Sequence, residues 1–179
     1  LGDRYLIGKL VLYDSSYHIR LIDQDRSLAA DATRGTLHYG FTERIEVAPT
    51  ILHYSGATPS SQFYDQSLIP VLRGSTDTLH KDRVVWEVDW REEWAFNQQG
   101  PKSKRTKRWL EFAKKNRIEP DEAWFVVVRT KHYKLVEFPK LPPLLFKLPS
   151  EDKNIADEQP KILSDMRKKL FDWIASVDS

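Results

Sequence analysis

Apolar and polar residues alternate along several short stretches of the chain, which is the pattern of half-buried β-strands. In the first stretch Tyr17, Ile19 and Leu21 alternate with polar residues, and a second apolar run precedes the turn residues 14–16. Two such runs on either side of a turn predict a β-hairpin near the start of the sequence.

Four later stretches also carry strand signals. Those at 35–41 and 44–52 are short, and the second contains Pro49, which favours a sheet edge or a bend. Those at 123–130 and 132–138 are rich in β-branched and aromatic residues and are joined by a single lysine. The second pair predicts two neighbouring strands.

The clearest alternation lies between residues 83 and 91. One side of this stretch would carry Val84, Trp86, Val88 and Trp90, and the other Val85, Glu87, Asp89 and Arg91. A strand with one buried and one exposed face needs this period of two. Seven or more short strands with irregular connections predict a mainly β, barrel-like fold.

Two helices complete the prediction. At about 103–116 the residues Trp109, Phe112 and Ala113 share one helical face. At 160–177 a helix would begin at Pro160 and carry a full apolar stripe, made of Ile162, Leu163, Met166, Leu170, Phe171 and Ile174.

The composition changes after Phe138. A proline-rich run, 139–149, predicts a rigid connector without regular structure, and the polar stretch that follows predicts a linker. We therefore expect a body at 1–145 including an N-terminal β extension, a linker at 146–159 and a C-terminal helix at 160–179.

Bulk composition narrows the classes of function. The 179 residues carry a net charge of +2 and no Cys, which excludes a disulfide framework and cysteine-based zinc sites. The five His are scattered without a helical i, i+4 pair, which disfavours a zinc site. No apolar run approaches the roughly 18 residues of a spanning helix, so we expect a cytoplasmic protein, or a nuclear one in a eukaryote. A start at Leu1 is compatible with a piece cut from a longer protein.

A basic arm lies between two predicted strands. Its charges are Lys102, Lys104, Arg105, Lys107 and Arg108, with no carboxylate among them. Such a local cluster is typical of a surface that binds phosphates. A solvated, charged helix face would have the same spacing.

The second half of the chain resembles the B3 DNA-binding domain. A strand with Trp86 leads into the basic arm with its Gly-Pro-Lys turn, then into a short helix with Trp109 and Phe112 and into the closing "YKLVEF". Arg108 and Pro120 stand where the family usually has Gly. The first half, with "SGATPSSQFYDQSLIP", is most similar to the version of this domain attached to certain restriction endonucleases.

This resemblance implies a seven-stranded pseudo-barrel whose two arms clamp the major groove of double-stranded DNA. It implies a recognition domain that is itself non-catalytic and needs no cofactor, with a restriction endonuclease's catalytic domain as a fused partner. Amides and guanidinium groups would pair with base edges, and lysines would hold phosphates. The implied DNA-binding residues are Ser55, Thr58, Ser60, Ser61, Gln62, Arg91, Asn97, Gln98, Gln99, Lys102, Lys104, Arg105, Lys107 and Arg108.

Three other interpretations stay open from the residues alone. The segment that begins at Gly8 would also fit a small oligonucleotide-binding barrel that takes single strands or RNA. Glu87 and Asp89, followed by lysines, would fit a metal-dependent nuclease. A protein-interaction module would use the C-terminal helix, and this reading leaves the basic arm unexplained.

Overall fold

The computed structural model describes residues 12–57, 63, 66–75, 81–89, 91 and 111–177. The chain divides into two compact units. We call Leu1–Tyr17 with Val85–Trp173 the sheet unit, and His18–Val84 with Ile174–Ser179 the helical unit.

The sheet unit is built on an open, four-stranded antiparallel sheet. Its strands are β1 (Arg83–Asp89), β2 (Trp124–Thr130), β3 (Tyr133–Glu137) and β4 (Leu144–Lys147), and each lies beside the next in chain order. The predicted strands at 83–91, 123–130 and 132–138 are therefore present. β4 corrects the prediction of an irregular connector, because its backbone pairs with β3.

Both faces of this sheet are covered, which explains why β2 is apolar at nearly every position. One face packs against the C-terminal helix α4 (Pro160–Val177) through Val126, Val128, Leu135, Leu145, Met166 and Leu170. The other face buries Val88, Phe125, Val127, Val136 and Phe146, against which Leu12, Tyr17 and Trp86 pack.

Helix α4 forms as predicted from its apolar stripe. Met166 and Leu170 are one turn apart and are both buried on the sheet. Of the other predicted helix, about 103–116, residues 111–115 are helical and Ala113 is fully buried. Residues 103–110 lie outside the described residues. A short helix, α1 (Asp14–Tyr17), packs against the second face of the sheet through Tyr17.

The helical unit contains helices α2 (Val47–Tyr54) and α3 (Ile69–Leu72) and two 3-10 turns, Leu28–Thr33 and Arg44–Glu46. A buried hydroxyl joins the two helices. Thr50 Oγ1 donates to the carbonyl of Glu46 at 2.6 Å and accepts from the backbone N–H of Leu68 at 2.8 Å.

The predicted strand at 44–52 is wrong, because a 3-10 turn and helix α2 occupy it. Glu43 and Glu46 form a capping box before the helix, which supplies partners for backbone N–H groups there. Pro49 is the third residue of α2, where a missing N–H costs no hydrogen bond. A proline that suggested a broken strand thus suits the first turn of a helix.

The seven-stranded pseudo-barrel with an N-terminal β extension is also wrong. Residue 17 is the last residue of α1, and residues 18–24 and 35–41 form no strand. The predicted boundaries between body, linker and C-terminal helix, after residues 145 and 159, stay a prediction. Within the described part of the chain, no helix is long and apolar enough to cross a membrane.

Candidate functional site

The most unusual chemistry of the described residues is a cluster of four charges under the second face of the sheet. It consists of Asp14 from α1, Arg129 from β2, Lys134 from β3 and Glu151, which follows β4. Two carboxylates and two cations balance each other. We call it the Lys134 cluster.

Lys134 is fully buried and lies at its centre. Its ammonium group donates to the carbonyl of Leu12 at 2.8 Å, contacts Asp14 Oδ1 at 3.3 Å and forms an ion pair with Glu151. These three partners match the three N–H donors of a lysine. The centroids of the Tyr13 and Phe146 rings each lie 5.8 Å from Nζ and add cation–π contacts.

The carboxylates tie the segment before the sheet to the strands. Glu151 accepts from the backbone N–H of Asp14 through both side-chain oxygens, at 3.3 and 3.1 Å. The Asp14 side chain in turn accepts from Arg129 Nε at 2.8 Å. The cluster therefore fixes residues 12–17 on the sheet across more than 110 positions of sequence.

The energetics of such a cluster are asymmetric. Bringing charges out of water costs about as much as their attraction returns, so the intact cluster adds little net stability. Removing one partner leaves a buried charge unpaired and costs about 3–5 kcal/mol. The geometry thus specifies where the segment sits.

Its charges are engaged with one another, which makes the Lys134 cluster a positioning device. The ammonium group has used its three donors and the buried Glu151 binds both a lysine and a backbone amide. Neither group is arranged as a nucleophile beside a general base, which is the arrangement that covalent catalysis requires.

A second charge cluster lies in the helical unit, around Asp25. Arg73 Nε donates to its Oδ2 at 2.9 Å and the backbone N–H of Ser27 donates to its Oδ1 at 2.8 Å. The hydrogen bond from Arg73, followed by that from Ser27, lowers the pKa of Asp25 to about 2. This carboxylate holds the loop before the first 3-10 turn.

The nuclease interpretation placed its metal ligands on β1. Glu87 and Asp89 are exposed there, and Asp89 accepts from Arg91 Nε at 2.9 and 3.0 Å. Hydrogen bonds from the Arg91 side chain lower the pKa of Asp89. Among the described residues, no group of three His, Cys, Asp or Glu is arranged to hold a metal ion.

A small apolar pocket of about 200 Å³ lies beside β2. Phe112, Ile118, Trp124 and Phe138 line it, and Lys140 pairs with Glu122 at its edge at 3.1 Å. It brings no reactive side chain together.

Only two of the implied DNA-binding residues lie within the described part. Ser55 is exposed at the C-terminal end of α2, where its hydroxyl donates to the carbonyl of Leu52, and Arg91 is paired with Asp89. The others lie outside the described residues: Thr58, Ser60, Ser61, Gln62, Asn97, Gln98, Gln99, Lys102, Lys104, Arg105, Lys107 and Arg108. The structure brings Ser55 and Arg91 into different units.

The sequence analysis missed the Lys134 cluster. One signal was available, because Lys134 interrupts the apolar side of a predicted strand and a lysine is almost never fully buried unless it is paired. Its partners were not recognisable, since Asp14 and Glu151 are remote in sequence.

Comparison with known proteins overturns the B3 resemblance. No protein-family model matches the chain. The multifunctional alkaline phosphatase superfamily protein PehA of Trinickia caryophylli is 29% identical over 178 residues, which are 97% of this chain and 32% of that protein. The chain thus spans about a third of the length of this curated relative.

Solved structures agree with this likeness at the level of the fold. The phosphonate monoester hydrolase of Agrobacterium radiobacter has a TM-score of 0.55 and 24% identity, over 73% of this chain and 24% of that one. The phosphonate monoester hydrolase of Silicibacter pomeroyi gives 0.54 and 22%, over 73% and 24%. A 2-O GAG sulfatase gives 0.50 and 21%, over 74% and 25%.

Together these findings correct the expected fold and the expected function. The fold is similar to part of alkaline phosphatase superfamily hydrolases and is not a B3-like domain. The expected function, sequence-specific DNA binding as part of a restriction endonuclease, conflicts with relatives that are hydrolases of this other class. The DNA-binding roles that the B3 resemblance gave to the basic arm therefore lose the family that implied them.

Proposed function

We propose that this chain is part of a hydrolase of the alkaline phosphatase superfamily that cleaves esters of phosphate or of a related oxyanion. One observation carries the proposal. The likeness to PehA extends over 97% of the chain, so it includes both the sheet unit and the helical unit.

Within such a hydrolase the described residues would serve as support. The sheet is covered on both faces and the Lys134 cluster is internally paired. These features hold a chain segment in place, and positioning of this kind is what a precise active site requires of its surroundings.

The chain is matched to only part of its relative. It corresponds to 32% of PehA, so about two thirds of such a protein lie outside the matched part. The expectation of a catalytic part joined to this one, made from the sequence, therefore continues as part of this proposal.

The test uses the polypeptide that carries this sequence at its natural length. It is purified and assayed, with and without added divalent cations, against p-nitrophenyl phosphate, p-nitrophenyl phenylphosphonate and p-nitrophenyl sulfate. We expect hydrolysis of at least one ester. A folded protein that releases p-nitrophenolate from none of them contradicts the proposal.

A matched pair of variants separates this activity from that of a contaminating phosphatase. Lys134→Met breaks the buried cluster and should lower activity together with the folded fraction, whereas Lys147→Met changes an exposed lysine on the adjacent strand β4 and should keep it. Equal activity in both preparations, despite unfolding of the Lys134→Met protein, would assign the hydrolysis to a contaminant.

A further inference from the structure

Residues 18–24 of the helical unit are exposed at all of their positions. We call them the exposed segment. It contains Ile19, Leu21 and Ile22, and the last of these is 91% exposed. Three large aliphatic residues within four positions are costly to leave in water, at up to about 1.5–3 kcal/mol for each side chain.

The backbone of the exposed segment beyond His18, which directly follows α1, is also unpaired within the described part of the chain. From Ile19 to Gln24 no backbone hydrogen bond is formed with another described residue, and no strand or helix includes these residues. Its far end is nevertheless fixed, because the neighbouring Asp25 is held by Arg73 and Ser27. A fixed stretch with open N–H and C=O groups can pair with a strand of a sheet edge.

The sequence pattern also indicates that the exposed segment forms a strand. Ile19 and Leu21 lie two positions apart and would share one side of a strand, as the alternation predicts. A second stretch with a strand signal and no strand or helix, 35–41, also exposes large apolar side chains: Leu37 is 79% exposed and Tyr39 is 89% exposed. Period-two patterns normally arise where one face of a strand is buried.

We propose that the exposed segment is a β-strand which pairs with a sheet edge in the remaining part of the hydrolase. This inference rests on the proposed function. The lengths argue for this occupant. The chain corresponds to 32% of PehA, and 73% of it covers 24% of a structural neighbour, so about two thirds of such a protein is available to cover this surface.

Strand addition would supply both the missing hydrogen bonds and the missing apolar cover. The partner edge would bond the amides that no other described residue bonds, while its sheet would bury Ile19 and Leu21 on one side and Ile22 on the other. A second copy of this chain could bury the same side chains, but such pairing would depend on protein concentration.

Hydrogen exchange with mass spectrometry tests the pairing on the polypeptide at its natural length, at two protein concentrations about tenfold apart. We expect the amides of 18–24 to exchange at least about 100-fold more slowly than an unstructured peptide, equally at both concentrations. Leu21→Lys should raise their exchange by about tenfold or more, while the exposed Phe171→Lys on α4 should leave it unchanged within about twofold.

The outcomes separate this inference from the proposed function. Free exchange at 18–24 in a protein that hydrolyses the esters overturns the strand pairing alone. Protection that grows with concentration overturns it in favour of a second copy. Protection without hydrolysis of any ester supports the pairing and contradicts the proposed function.

Discussion

The two units of this chain differ in how they treat their apolar residues. The sheet unit buries the apolar side chains of its strands on the two covered faces of the sheet, and Val127, Leu135 and Leu145 have no exposed surface. The helical unit leaves Ile22, Leu28 and Leu37 in water. A layered sheet buries its own core, whereas a set of short helices and loops of this size depends on a further surface.

The units also differ in the placement of their charges. The Lys134 cluster is deep in the sheet unit and balances four charges around a fully buried ammonium group. The Asp25 cluster of the helical unit contains an arginine that is about a third exposed. We therefore expect the sheet unit to respond more strongly to the loss of one charged partner.

Lys134→Met should have the largest effect. It leaves Asp14 and Glu151 without their buried cation and should lower the free energy of unfolding by about 3–5 kcal/mol. Urea titration followed by tryptophan fluorescence measures this, because Trp86, Trp124 and Trp173 belong to the sheet unit. The control Lys147→Met should change stability by less than about 0.5 kcal/mol. A loss below about 1 kcal/mol for Lys134→Met would contradict the buried cluster.

Leu145→Ala in β4 should cost about 2–5 kcal/mol, because it opens a cavity in a closely packed face. The same change at Leu28, which is 86% exposed, should change the free energy of unfolding by less than about 0.5 kcal/mol in this chain. Thermal unfolding by circular dichroism compares the two. Equal losses would remove the contrast between a closed sheet unit and an open helical unit.

Thr50→Val tests the polar link inside the helical unit. The change keeps the shape and removes the hydroxyl, so the buried N–H of Leu68 loses its acceptor at a cost of about 1–3 kcal/mol. Thr36→Val, at an exposed hydroxyl that donates to the carbonyl of Thr33, is the matched control. If hydrogen exchange in α2 and α3 is equally fast in both variants, the link does not hold these helices.

The smallest expected effect is a change of stability at acid pH. The pKa of Asp25 is lowered to about 2 by Arg73, against about 3.9 in an unfolded chain. The stabilisation from this group is therefore complete above about pH 4 and is lost as the pH falls toward 2. We expect the difference in melting temperature between the wild type and Asp25→Asn to shrink between pH 5 and pH 2.5.

The exposed Asp157→Asn serves as the control for this pH dependence. Its melting temperature should follow the wild type at both pH values. A difference between the wild type and Asp25→Asn that stays constant from pH 5 to pH 2.5 would show that Asp25 is not specifically stabilised in its charged form.

The resemblance to the B3 domain shows how a local pattern can mislead. The order strand, basic arm, helix and two strands is expected from this sequence as it is from the B3 family, and β1, β2 and β3 do lie where this pattern put them. An open four-stranded sheet uses the same local signals as a barrel. Closure depends on further strands, and the segments expected to supply them carry none in the described part of the chain.

Local sequence alone determined the elements whose signals are complete within themselves. Helix α4 follows from its apolar stripe and its initial proline, and β2 and β3 follow from β-branched runs joined by a short turn. These elements need only their own periodicity and one surface to pack on.

Tertiary structure decided the rest, because the partners are distant. β4 is a strand since β3 offers it an edge, and 18–24 is not one since no described strand pairs with it. Lys134 can be buried only because Asp14 and Glu151, separated from it by 120 and 17 positions, are brought to its ammonium group. Contacts that span such distances depend on the folded chain as a whole and leave no periodic trace in the sequence.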